Sequence, residues 1–292
     1  EATVTAVSPD KVVTAQSREG ILKMQAKAVI LATGGFGANL PMVEQYRPEL
    51  KGFNTSNHQG ATGDAFEWVN ALDVPLVQME QIQIHPTGEI GSHLLISEAI
   101  RGNGAILVNH DGVRFANEML TRDKLSEAIL AQKEKSAFII FDQNVRESLA
   151  AVENYAQQGL LTTAESYSEL AQALTLPVSS LVETMNKYQQ YQTTGEDLEF
   201  GRNANEMPHP LTQPPYYAIE VEPVLHHTMG GIKINSNAEV VNKDGVPVPG
   251  LYAAGEVTGG VHGGNRLGGN AVADIVVFGQ IAGTSAVQYI NR

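Results

Sequence analysis

Two glycine-rich stretches carry the residues best suited to hold a ligand. Between residues 250 and 270 the chain has eight glycines, interleaved with Glu256, His262, Asn265 and Arg266. Glycine lets backbone approach a bulky ligand, and a helix opening after such a stretch turns its first N–H groups toward that ligand. The second stretch, Thr33-Gly34-Gly35-Phe36-Gly37, follows the apolar run Ala28-Val29-Ile30-Leu31-Ala32. Glycines at the carboxyl end of a buried strand are where α/β folds receive ligands. His85, Arg101, Arg122, Arg266 and the pair His226-His227 are candidates for anion binding or proton transfer. Taken singly, each suits a plainer role as well. His85, after the alternating run Gln81-Ile82-Gln83-Ile84, reads equally as a capped or surface residue. Arg122 reads as a surface residue ahead of a helix, and His226-His227 as a metal-binding pair. Nothing in the spacing selects Arg122 over Arg101 or Arg266 as an acid. His58, His93, His110, His209 and His262 read as surface or structural residues.

The elements that must position these residues come from a chain of 292 residues, enough for one large domain or two closely associated ones. With 42% hydrophobic and 17% charged residues, it is neither a disordered chain nor a membrane protein by composition. No run approaches the ~20 apolar residues of a bilayer span, and the start EATVTAVSPD has no leader pattern. The net charge of −13 argues against sequence-independent nucleic-acid binding, which needs Lys and Arg to neutralise phosphates. Having no cysteine, the chain can form no disulfide, zinc-thiolate site, protein-ligated iron–sulfur cluster or cysteine nucleophile.

The first thirty residues alternate as a short meander, broken by turns at Ser8-Pro9-Asp10 and Arg18-Glu19-Gly20. The meander ends in residues 28–32, an apolar run typical of a strand covered on both faces. Helices are predicted over 63–72, 123–134, 142–151, 165–173, 178–194 and 270–288. Pro208, Pro210, Pro214 and Pro215 predict an extended segment. Strand character returns after residue 226, with a turn at Lys243-Asp244-Gly245.

A set of motifs runs through the whole chain in order. It comprises Ala32-Thr-Gly-Gly35, Ala61-Thr-Gly-Asp64, His85-Pro86-Thr87, Glu98-Ala-Ile-Arg101-Gly102 and Gly112-Val-Arg-Phe115 with Asn117-Glu118. Thr121-Arg122-Asp123, His226-His-Thr-Met-Gly-Gly231 and the long block Gly255–Asn270 complete it. The set resembles the flavoprotein subunits of the fumarate reductase/succinate dehydrogenase superfamily, and most of all the soluble fumarate reductases of the flavocytochrome c type. The resemblance implies an α/β flavin-binding domain, represented by its C-terminal parts at 1–79 and 227–292. An inserted α+β capping domain is expected over 80–226, with the active site between the two. That family opens its flavin domain with a G-x-G-x-x-G turn, which this chain lacks, so residue 1 is expected to fall partway through the domain.

The resemblance also implies roles for residues. His85, Ser97 and Glu98 would hold one carboxylate of fumarate; His226 and Arg266, with the backbone of Gly269, would hold the other. Arg122 would deliver the proton, supplied through Glu98 and Arg101. For FAD it implies Ala32, Thr33, Gly34, Asp64, His227, Glu256, Ala271 and Val272. A sodium-like ion would take backbone oxygens of Thr228, Met229, Gly230, Glu256 and Thr258. Haem would lie on a missing domain or on a partner that donates electrons, since no haem attachment motif is possible without cysteine. The expected reaction is reduction of fumarate to succinate, and the expected compartment is the periplasm. Two rivals stand beside it: a urocanate-type enoate reductase, which histidine at position 85 disfavours, and a non-catalytic fragment that binds no FAD unaided.

Overall fold

The computed structural model describes residues 2–292. The chain opens with β1 (Ala2–Val7), β2 (Val12–Ser17), β3 (Gly20–Gln25) and β4 (Val29–Leu31). Helices α1 (Leu40–Tyr46) and α2 (Asp64–Asn70) follow, then β5 (Leu76–Val77) and β6 (Ile82–Glu89). The central stretch holds α3 (Ala99–Gly102), β7 (Ile106–Val108), α4 (Arg122–Leu130), β8 (Ala137–Asp142) and α5 (Gln143–Ser148). It continues with α6 (Ala150–Gln157), β9 (Thr162–Ala164), α7 (Tyr167–Ala173) and α8 (Val178–Thr194). After the long β10 (Tyr216–Thr228) come β11 (Gly231–Lys233), β12 (Glu239–Val241), β13 (Pro247–Ala253), β14 (Thr258–Gly259) and α9 (Asn270–Ile290). The contacts divide the chain into two compact units: the chain up to Gln83 with Leu225–Arg292, and Ile84–Val224.

The first unit contains three small sheets. β1, β2 and β3 form the antiparallel meander that the alternation predicts. β4 leaves it and pairs in parallel with β13, Tyr252 opposite Ile30, in the order β12-β13-β4. Its position corrects an expectation: β4 is an edge strand, and Ile30 is 42% exposed while Leu31 is buried. An apolar strand lies covered on both faces only where elements pack on both sides. The third sheet is β14-β11-β5, in which β11 and β14 run parallel. Helix α9 lays Ala282 and Ala286 against Tyr252, and the Tyr252 hydroxyl donates to the Ser285 carbonyl at 3.2 Å. Among the described residues α9 is the helix that reaches the length and apolar composition of a membrane span. The sequence pattern predicts no such element, because Asp274, Gln280 and small residues interrupt its apolar run. The sole tryptophan, Trp68, lies one turn into α2 and is half-buried.

The second unit is built on a sheet of order β6-β10-β8-β7, with β9 also paired to β10. β8 pairs antiparallel with both β10 and β7, and all six of its residues, AFIIFD, are buried. Helices cover it with apolar positions at helical spacing: Leu125 and Ile129 from α4, and Leu181, Met185 and Tyr188 from α8. The helix predicted over 142–151 is two helices. Leu149 adopts an extended conformation (φ −140°, ψ 104°), which breaks the α-helical hydrogen-bond ladder between α5 and α6.

Candidate functional site

In the second unit a strand, a short helix and a helix start bring one group of predicted residues together. β6 places His85 in a fully buried position, its Nδ1 3.3 Å from both the Thr87 N–H nitrogen and the Thr87 hydroxyl. The Thr87 hydroxyl donates to the Ile96 carbonyl at 2.8 Å, joining β6 to the segment that leads into α3. There the Ser97 hydroxyl oxygen accepts from the Ala99 N–H, while the Tyr155 hydroxyl accepts from the Ser97 N–H. Glu98 stands at the N-cap position of α3, and Arg122 is the first residue of α4. The Arg122 Nε–H donates to Glu98 Oε2 at 3.1 Å. Arg101, on the last turn of α3, is buried, and Nη1 donates to the Glu118 carbonyl. Burial pushes the Arg101 guanidinium down to about 10, with Glu98 and Glu118 acting against the shift.

Beneath this array lies a buried ionic cluster that the sequence motifs cover only in part and assign no role. Arg114 grips Glu118 with two hydrogen bonds of 2.8 Å and reaches Asp197 at 3.2 and 2.9 Å. Arg202 donates to Glu118 at 3.2 Å, and the Arg114 guanidinium sits 4.8 Å from the Tyr188 ring centroid. Burial works to lower the Arg114 proton affinity, but Glu118 and then Asp197 hold it above the ordinary arginine range. Asp197 and Arg202 left little trace in the sequence, since each meets its ion-pair partner more than eighty residues away. Arg114 and Glu118, four residues apart, were the readable signal.

In the first unit the glycines gather the other predicted residues. A Cβ on Gly35 would lie 2.1 Å from the Thr228 hydroxyl oxygen and 2.5 Å from Glu256 Oε1. Only glycine fits there, and the closeness lets Thr228 donate to Glu256 from both N–H (2.9 Å) and hydroxyl (3.1 Å). Burial holds the Glu256 carboxyl above its ordinary value, against Thr228, Arg266 and His262. His227 approaches Glu256 at 3.7 Å and meets His262 edge-on, with ring centroids 5.4 Å apart. The His262 Nε2 lies 3.1 Å from Asp274 on α9. The adjoining His226 has Nδ1 3.1 Å from the Ser56 hydroxyl. Arg266 is buried, its own carbonyl accepting from Gln83 at 2.6 Å, and Gln83 also donates to Asn265 at 2.7 Å.

The glycine block serves two purposes. Gly259 crosses the backbone of Gly231 and Val77 so closely that a Cβ would fall 2.6 Å from backbone atoms, so this glycine permits sheet packing rather than a ligand. Gly269, by contrast, stands at the N-cap of α9 in the left-handed region (φ 80°), with open space beside it and no side-chain cap. Ala271 and Val272 follow on the first turn; the Val272 N–H turns back to the Gly269 carbonyl at 3.0 Å. Ala32, Thr33 and Asp64 are exposed, and the Thr62 hydroxyl donates to Asp64 at 2.8 Å. The segments Thr228–Gly230 and Glu256–Thr258, named for a sodium-like ion, lie side by side. Among the described residues no group of three or more His, Cys, Asp and Glu could hold a metal.

Accessible backbone at the end of β4, the half-buried Glu256 carboxylate and the uncapped start of a 21-residue helix are the features of a dinucleotide cradle. The FAD binding domain model matches residues 3–272, and the chain belongs to that family. It is 48% identical over 268 residues to an NADH:fumarate oxidoreductase of Klebsiella pneumoniae (strain 342), covering 92% of this chain and 29% of the relative. It is also 48% identical over 274 residues to a fumarate reductase (cytochrome) of Shewanella frigidimarina, covering 94% of this chain and 48% of that one. A solved structure of the open conformation of a flavocytochrome c3 fumarate reductase superposes with a TM-score of 0.78 and 42% identity. That match covers 99% of this chain and 52% of the other. The chain thus spans about half or less of the length of these relatives. The fold is that of an FAD-binding domain with mixed α/β sheets.

Proposed function

We propose that this chain forms the flavin-binding and substrate-binding portion of an FAD-dependent fumarate reductase. The observation that carries the reading is Arg122 bonded to Glu98 beside buried Arg101, in a chain 48% identical to fumarate reductases. FAD, when bound, supplies the hydride that reduces one alkene carbon. Ala32, Thr33, Gly34, Asp64, His227, Glu256 and the start of α9 would hold it, with Glu256 as the acceptor for a sugar hydroxyl. The start of α9 would offer backbone N–H groups to negative charge on the bound group. A haem-bearing or other redox partner supplies the electrons.

The chain's own residues bind the dianion and move the proton. The resemblance assigns one carboxylate to His226 and Arg266 and the other to His85, Ser97 and Glu98. Binding both ends with cations and imidazoles draws charge out of the alkene. Arg122 then gives its proton to the second carbon, and Glu98 and Arg101 return one to it. An arginine has a pKa of about 12 or more, so it serves as an acid only toward a strongly basic acceptor. The carbanion-like carbon left by hydride addition is one.

The test uses the complete protein, purified and assayed for bound flavin and for fumarate-dependent oxidation of a reduced dye. Turnover with fumarate, and none with urocanate or acrylate, is the expected result. A flavin-loaded protein that turns over urocanate or acrylate but not fumarate would replace the substrate, and one inactive on all three would remove the enzymatic reading.

A further inference from the structure

The proton relay of the proposed reaction needs Arg101 both charged and fixed, yet α3 is only four residues long, Ala99–Gly102. So short a helix does not hold its own shape in water. What holds it is a closed ring of contacts from outside. Arg101 donates from Nη1 to the main-chain carbonyl of Glu118. The Glu118 carboxylate, fully buried, accepts from Arg202 Nη1 at 3.2 Å. Arg202 Nη2 in turn donates to the main-chain carbonyl of Arg101 itself, and its Nη1 also reaches the Ala105 carbonyl at 2.9 Å. Arg202 therefore ties the last turn of α3 to the segment that follows it. Its own backbone is fixed by Asp197, whose Oδ2 accepts the Arg202 N–H at 3.2 Å. Arg114 completes the arrangement by holding Glu118 and Asp197 together.

We propose that Glu118 and Arg202 are positioning residues for proton delivery: Arg202 fixes the backbone of the Arg101 turn, and Glu118 supplies the buried countercharge that keeps the Arg101 guanidinium in place and protonated. The proposal rests on the fumarate reductase reading. The charged groups that face Arg101 are Glu98, Glu118, Arg122 and Arg202. Two of these are cations, so Arg101 depends on its two carboxylates, and only Glu98 is also engaged by Arg122. Glu118 is the fixed member of the pair. Hydrogen bonds from Arg114, Arg202 and the Leu107 N–H leave its carboxylate no freedom to turn away.

The two residues are separable by experiment, because one contributes charge and the other geometry. In the complete flavin-loaded enzyme, Glu118→Gln keeps the shape and the carbonyl to Arg101 but removes the negative charge. Without it the Arg101 cation is less favoured, so the alkaline limb of the kcat profile should move down by about one pH unit. Glu118→Asp, which keeps the charge, should leave that limb in place. Arg202→Lys keeps a cation but loses the fork that spans Arg101 and Ala105. It should lower kcat about tenfold with KM held within about threefold, and without moving the limb. A purely structural cluster would lower the melting temperature in these variants and leave both kcat and the pH profile of the folded fraction unchanged; that result would overturn the proposal. If Glu118→Gln does not fold, Arg202→Lys and Glu118→Asp decide by the same kcat and pH readings. An unmutated enzyme without fumarate turnover would remove the fumarate reductase reading, and this proposal with it. An active enzyme with unaltered variants would remove this proposal alone.

Discussion

The Arg122 Nε–H donates to Glu98 Oε2 at 3.1 Å, a contact that helps to orient the guanidinium. In the proposed reaction, Arg122→Ala in the complete enzyme should abolish fumarate reduction while FAD stays bound. Turnover above a few per cent of wild type would remove Arg122 from that role, and Lys should rescue weakly at best because a point charge does not reproduce the guanidinium fork. His85 and Arg266 separate binding from chemistry. Arg266→Ala should raise KM strongly, since a carboxylate clamp acts in ground and transition states alike. His85→Tyr should weaken use of fumarate more than it weakens flavin binding; unchanged fumarate kinetics would show that His85 does not set substrate choice. Glu256 makes a prediction about stability. Burial raises its folded-state pKa above the ordinary 4.5, so the folded protein holds this proton more tightly than the unfolded chain does. Stability from this group is present below pH 4.5 and is lost as pH rises through the raised value. Glu256→Gln should remove that part of the pH dependence in flavin-free protein while weakening FAD binding. An unaltered pH dependence of the melting temperature would contradict it.

At the scale of elements, the Arg114–Glu118–Asp197–Arg202 cluster pins the loops at 112–118 and 197–202 over Tyr188 of α8. Arg114→Ala would leave two buried carboxylates short of a partner, which costs about 3–5 kcal/mol, readable as a lower midpoint in urea. A loss within experimental error would show that the cluster contributes nothing net. Elements differ in how far the sequence disclosed them. α8 matches its predicted span of 178–194, because Pro177 opens it, Gly195 in the left-handed conformation closes it, and its apolar positions recur at helical spacing. β7 and β8 passed unnoticed: their residues are buried and apolar almost throughout, and without alternation a buried strand gives no period to read. The candidate site was legible wherever it lies on contiguous motifs, such as Glu98–Gly102 or His226–Gly231. The ionic cluster was not, because its members meet only once the sheet and α8 have brought distant segments together.

At the scale of the whole chain, the long helix α9 turns an apolar face outward: Val272 is 62% and Val276 60% exposed, with Ile275 and Val287 beside them. Together with the free edge of β4, this surface should make the 292-residue chain bind an apolar dye and self-associate as its concentration rises. A monomer in sedimentation with no dye binding would show that the face is not available in solution. Trp68 has a different consequence, in optics. As the only tryptophan, it makes the indole emission of the whole chain come from α2, the helix that starts with Asp64. The unit Ile84–Val224 has tyrosines and no indole, so its unfolding is silent in that channel and visible in far-ultraviolet circular dichroism. If the two units melt separately, the two signals will part company during a single titration. If flavin docks where Asp64 stands, the same indole will dim by energy transfer as the cofactor is added, giving a binding isotherm that requires no label and no substrate.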